Sequence, residues 1–307
     1  MRRGLLVASS GLLALVLVTA AQPAGAWKQS KVPRGTSCLA WQPREIHWSP
    51  ALPLGGELEA ADVLNVFRRS FAAWEQASCS DLSFVERPSS PRTVGFSKNA
   101  ENQNVLLFRD RACEDLVPDD DPCIEQRSCS EAYDCWDFDE KLIAVTTVTF
   151  SRCSGEIFDA DIEINAAGFH FTTVDGPRCT KDVRENCIAM DLQNTMVHEI
   201  GHLIGLDHSP RKDAVMYANA ASGETIKRQL SSDDEKALCT IYPVGGETRT
   251  CGGVHGSNDC AAGKRQQSSE GLMCGSQAGS SGAASLWAGA LALLGLAHLA
   301  WRRRRKV

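Results

Sequence analysis

The chain has 307 residues, 43% hydrophobic and 23% charged, with a formal net charge of −6. This is long enough for one sizeable domain with appendages, too apolar for intrinsic disorder, and too acidic to suit nucleic acid or an anionic membrane surface as a partner. Its 13 cysteines point to an oxidising compartment.

Arg2-Arg3, the apolar run 5–18 and Ala24-Gly25-Ala26 form a basic region, a hydrophobic region and a small-x-small cleavage site. This predicts a secretory signal peptide over 1–26, leaving Trp27 first in the mature chain. Residues 57–77 place Val63, Leu64, Val66, Phe67, Phe71 and Trp74 at helical spacing, the stripe of an amphipathic helix that should pack on a sheet. Short β-rich runs follow at 82–86, 105–108, 142–150, 157–165 and 169–173. Between the second and third, residues 110–141 are acidic, carry four cysteines and keep neither period. They read as a disulfide-tied insertion, lying over one rim of a cleft or forming a plain surface loop.

The run 157–165 alternates apolar residues with Asp159, Asp161 and Glu163, which predicts a strand with one solvated face. Residues 190–204 form a helix bearing histidines. A closing helix follows at 231–241, with Ser231 as N-cap, Asp234 three residues on and Asp233 at the positive helix end. Ten cysteines between Cys38 and Cys239 make an even set that permits full pairing within the globular part, and Cys179 and Cys187 bracket a short polar loop. Beyond it, 244–282 reads as a Cys/Gly/Ser-rich stalk. There Cys251 and Cys260 could close a short loop, leaving Cys274 unmatched. Residues 283–301 are near the length needed to cross a bilayer, and the basic cluster 302–307 belongs on the cytoplasmic side.

The sharpest signal is the segment His198-Glu199-Ile200-Gly201-His202-Leu203-Ile204-Gly205-Leu206-Asp207-His208. His198 and His202, four apart on a helix, project from one face, and Gly205 can reverse the chain so that His208 returns as a third ligand. Three imidazoles leave one tetrahedral position of a zinc ion open, the mark of a catalytic rather than a structural site. Glu199, beside the first ligand, can reach a water held in that position.

This pattern resembles the metzincin signature, and Ala214-Val215-Met216-Tyr217 resembles the Met-containing turn that accompanies it. Ser209 directly after His208, and Tyr217 directly after Met216, look like the matrixin branch. The resemblance implies an α+β, zincin-like catalytic domain over 27–243 with a mixed, twisted five-stranded sheet and about three helices. It further implies one catalytic Zn2+ held by His198, His202 and His208, and peptide-bond hydrolysis with Glu199 as general base and then acid. Protein or peptide substrates would pair with the strand facing the cleft, and the segment after Met216 would wall the first-side specificity pocket.

Calcium is a further candidate at Asp159, Asp161 and Glu163, by likeness to an acidic matrixin strand. A structural zinc is not expected, because His170 is the one histidine in the relevant region. Cys38, in Pro33-Arg34-Gly35-Thr36-Ser37-Cys38, loosely resembles a matrixin cysteine switch, but a disulfide to the domain is the preferred reading. Met273-Cys274-Gly275 with the apolar and basic tail resembles myxobacterial sorting tails. The expected product is exported and surface-anchored by its C-terminal helix, or released by tail processing, and is a monomer. Two other function classes stay open: a surface-binding module with a vestigial zinc site, and a zinc hydrolase of a non-peptide amide.

Overall fold

A computed structural model describes residues 26–54, 57–98, 102–126, 128–251, 253–254 and 265–274. The expected signal segment (apart from Ala26), the expected membrane span 283–301, the basic tail 302–307 and Gly275 of the expected sorting-tail motif lie outside them. Among the described residues, no helix is long and apolar enough to cross a membrane.

The first helix, α1 (Ala60–Glu75), buries Val63, Val66, Phe67, Phe71 and Trp74, the stripe its spacing predicts. It lies on a mixed sheet whose strands, in chain order, are β1 (Glu45–Pro50), β2 (Ser83–Glu86), β3 (Val105–Arg109), β4 (Leu142–Ser151), β5 (Ile157–Asn165), β6 (Asn219–Ala220) and β7 (Arg265–Cys274). Their order across the sheet is β6-β7-β4-β5-β3-β1-β2. The first five make the expected five-stranded unit, parallel except for β4, which runs antiparallel to β5. Trp48 of β1 stacks on Phe71, with centroids 4.7 Å apart, and Phe67 packs on Phe108 of β3.

Two short helices, α2 (Pro122–Gln126) and α3 (Cys129–Tyr133), sit in the insertion. Two long ones follow, α4 (Leu192–Leu203) and α5 (Ser232–Ile241). Ser231 caps α5 in a full capping box with Asp234, as its spacing predicts.

Membership of the five-stranded unit differs from the sequence reading in two ways. Residues 169–173 give only Phe171–Thr172, which pairs with Met190–Asp191 outside the main sheet. The strand at 45–50 is absent from the sequence reading because its alternation, Glu45 and His47 with Ile46 and Trp48, is only four residues long and runs into Pro50, which reads as a strand breaker.

The acidic face of β5 is not solvated. Asp159, Asp161 and Glu163 are 1–2% exposed. The alternation was real, but the face opposite the helices is covered by the loop before β3 and by the insertion, neither of which has a period to reveal its position. Asp161 accepts main-chain N–H groups from Gly95 and Val105. Arg109, fully buried, bonds Glu163 at 2.6 Å and reaches out to Glu131 and Asp134 of the insertion. The insertion therefore packs on the outer face of the sheet, away from α1 and α4. It is closed by Cys113–Cys135 and Cys123–Cys129.

Cys79–Cys239 and Cys179–Cys187 are also bridged, the latter as its spacing suggests. Cys38 is in a disulfide, as preferred over the switch, but its partner is Cys251 of the segment 244–282 rather than a cysteine of the expected domain 27–243. This corrects both the pairing of Cys251 with Cys260 and the closure of the ten earlier cysteines among themselves. Nor is 244–282 simply a stalk: Cys251 is stapled to the body and 265–274 is a sheet strand. Its polar run gives no strand signal because the edge of β4, rather than its own propensity, holds it extended.

Candidate metal and proton-transfer site

The helix α4 starts where Asp191 accepts the N–H of Asn194 at 2.7 Å, and ends after Leu203. Gly205 then takes a φ of +91°. A Cβ there would also lie 2.4 Å from the main-chain oxygen of Leu39, so this reversal excludes every other residue on two grounds. The last carbonyls of α4 are satisfied from outside: Trp41 Nε1 donates to Leu203 O and the Tyr242 hydroxyl to Ile204 O, both at 2.8 Å. Trp74 of α1 donates to Val197 O, fixing the middle of α4. The segment after the reversal, Leu206–Asp207, pairs antiparallel with Lys28–Gln29, and this holds the approach to His208.

The turn brings His198, His202 and His208 together. Their Nε2 atoms lie 3.1, 3.2 and 3.3 Å apart. Three nitrogens each bound about 2.0–2.1 Å from one ion at tetrahedral angles would be spaced by about 3.3 Å. The donor set therefore fits zinc in number, chemistry and spacing. The far nitrogens are already committed, His198 Nδ1 to Val215 O at 2.6 Å and His202 Nδ1 to Leu206 O at 2.8 Å. A proton on each Nδ1 leaves each Nε2 with its lone pair facing the other rings. Burial, then the neighbouring His202 and His208, holds His198 well below the usual histidine range, which favours the neutral ligand form.

Met216 lies under this group, and the fit is close: a Cβ on Gly201 would come 2.1 Å from its Sδ. Gly201, inside the signature, is thus required by contact with the Met-containing turn. The first turn of α5 holds that turn in place. Asp234 accepts the N–H groups of Val215 and Met216, and Asp233 accepts the Ser209 hydroxyl at 2.8 Å.

Glu199 is fully buried, and its carboxylate accepts the Thr146 hydroxyl of β4 at 2.6 Å. Thr146 carries no signal in the sequence: it lies 53 residues away, in a run of β-branched residues typical of any strand. The loop after Met216 is tied back to the start of α4. Arg228 bonds Asp191, the Lys227 N–H donates to Asn194, and the buried Lys227 ammonium donates to Asn219 O at 2.9 Å. Burial draws the Lys227 pKa down against the pull of Glu224.

Of the three calcium candidates, Asp161 and Glu163 already have their donors. Asp159 has one oxygen without a partner, and Thr149, its neighbour across the β4–β5 pair, has an unpartnered hydroxyl. Burial pushes the Asp159 carboxyl up to about 6. His170 is mostly exposed, beside Glu57.

A family model described as Matrixin matches residues 40–243. Among curated proteins, the chain is 26% identical over 188 residues to Metalloendoproteinase 4-MMP of Arabidopsis thaliana, covering 60% of this chain and 41% of that protein. It is 32% identical over 106 residues to Metalloendoproteinase 1 of Glycine max, covering 31% and 34%. It is 42% identical over 57 residues to Karilysin of Tannerella forsythia, covering 19% and 11%. The chain thus spans less than half the length of each of these relatives.

Proposed function

Because the chain belongs to the matrixin family, we propose that it is an exported zinc endopeptidase in which Glu199 moves the proton. The observation that carries this reading is the convergence of three histidine Nε2 atoms within 3.3 Å, one residue along the helix from a buried glutamate.

His198, His202 and His208 would hold the zinc. When bound, it polarises the scissile carbonyl and brings the pKa of its water to roughly 7. Glu199 would take a proton from the attacking water and later deliver it to the leaving amine. Thr146 fixes the carboxylate rotamer, so the acceptor oxygen is aimed before substrate arrives. The edge of β4 would pair with the main chain of an extended substrate, which predicts a preference for unfolded or loop peptides. The loop after Met216, anchored through Lys227 and Arg228, walls the pocket for one side chain.

Export through the 1–26 signal accords with the disulfides on both faces of the molecule. The span 283–301 then anchors the chain unless the sorting-like tail is processed. Asp159 and Thr149 mark where a calcium ion would have to bind.

Casein cleavage by the mature chain 27–307 tests the reading. Activity should vanish with a zinc chelator and return with added zinc. The Glu199→Ala variant should keep its zinc and lose cleavage, whereas retained cleavage in that variant would sink the mechanism.

A further inference from the structure

We propose that β7, residues Arg265–Cys274, is the enzyme's own occupant of its substrate groove and keeps the site closed until displaced. The inference rests on the peptidase reading above.

A strand has two hydrogen-bonding edges. One edge of β4 pairs with β5. The other is the edge a substrate would use, and β7 holds it from Arg265 opposite Ser151 to Met273 opposite Leu142. The register sets the main chain of Glu270 opposite Thr146, the residue whose hydroxyl bonds Glu199. Between Leu272 and Met273 the pairing shifts. Met273 and Cys274 then pair in parallel with Asn219 and Ala220, just beyond the Met-containing turn. The strand thus joins β4 to the segment on the opposite side of the histidines, and it runs against α4. With it in place, His198 and Glu199 are 0% exposed and His202 is 1%, while His208 stays partly exposed.

The sequence of the segment agrees with a bound ligand rather than a built-in strand. Arg265-Gln266-Gln267-Ser268-Ser269-Glu270-Gly271-Leu272-Met273-Cys274 holds no β-branched or aromatic residue, so it has little strand propensity of its own. It is extended because the edge of β4 extends it, which is how a peptide substrate is held. Thirteen residues join Arg265 to Cys251, which is fixed to the body through Cys38. A tether that short gives an effective concentration in the millimolar range, enough to compete with ordinary substrates without strong intrinsic affinity.

The full mature chain carrying Ser268→Pro and Ser269→Pro tests this. N–H groups of successive strand residues point to opposite sides, so one of the two prolines must remove a donor facing β4. Cleavage of casein should rise about tenfold or more in kcat/KM, the effect of weakening the pairing by one or two main-chain bonds at about 1 kcal/mol each. A synthetic peptide of residues 265–274 with Cys274→Ser should inhibit that variant competitively. Equal kcat/KM in the two proteins, at equal zinc content, would overturn the proposal.

Amide exchange on the unsubstituted segment, read in the Glu199→Ala chain, does not depend on the proline variant folding. Slow exchange across 265–274 is expected, and exchange at the rate of a free peptide would overturn the proposal as well. If neither protein cleaves casein, the peptidase reading itself falls and takes this inference with it, whatever the exchange pattern.

Discussion

The two faces of the sheet bury ionisable groups in opposite ways. On the outer face the carboxylates of Asp161 and Glu163 accept donors from within the chain, the N–H groups of Gly95 and Val105 and the Arg109 guanidinium, although Asp159 beside them keeps one oxygen unpartnered. On the inner face the far nitrogens of His198 and His202 are answered by main-chain carbonyls, and their Nε2 atoms converge with that of His208 as a set able to hold a metal ion. Hydrogen bonds and ion pairs of the first kind hold a fold together; a rigidly supported convergence of ligand atoms suits a metal. Burial alone would not separate them, since Asp161 and Glu163 are as far removed from solvent as His198 and His202.

That contrast can be broken from either side. Glu199→Ala should lower kcat/KM by roughly 10²–10⁴, the worth of a positioned general base, with zinc content and melting temperature nearly unchanged. Arg109→Ala should do the reverse. Leaving Glu163 buried and unpaired costs about 3–5 kcal/mol in denaturant unfolding, while kcat/KM below the melting range stays as in the parent. If Arg109→Ala abolished activity in protein that was still folded, the outer face would not be merely structural.

Gly201→Ala comes next, because a Cβ there would lie 2.1 Å from Met216 Sδ and 3.0 Å from Trp74, so the buried Met216 side chain must shift beneath the histidines. Overpacking of this sort costs about 1–3 kcal/mol, and zinc affinity should weaken with it. Thr146→Val removes the hydroxyl on Glu199 while keeping the β-branched shape. A loss of about tenfold in kcat with KM unchanged is expected, since one hydrogen bond to a charged group is worth about 1.5–3 kcal/mol and water can replace part of it.

The smallest effect concerns pH. The Asp159 carboxyl is raised from 3.8 to about 6 in the folded chain, so the native state binds its proton more tightly than the unfolded one. Its contribution to stability is fully present below pH ~4 and is lost as the pH rises through about 6. In chelator, Asp159→Asn should flatten that descent in the melting temperature. If calcium binds beside Thr149, millimolar calcium should instead raise the melting temperature of the parent above pH 6 and leave Asp159→Asn unmoved.

The histidine site was readable because its ligands are consecutive on one helix and one turn, where spacing alone fixes direction. The same logic gave α1, α5 and the capping box at Ser231. It stopped at features made by chain segments that meet only after folding. Thr146 reaches Glu199 from a different element, Cys38 finds Cys251 across the domain, and the charged alternation of β5 marks a face without saying what covers it. β7 was illegible for a further reason: its extended form is imposed by a neighbour, and no local pattern encodes that.

The bridge from Cys38 to Cys251 spans 213 residues, and Cys79 to Cys239 spans 160 within it. Any single backbone cut between 79 and 239 therefore leaves both pieces joined at two points or more. For an enzyme exposed to its own activity and to that of its neighbours, a nick in the loop between Cys179 and Cys187 or in the insertion need not be a loss. Such damage would run as one band without reductant and as two with it.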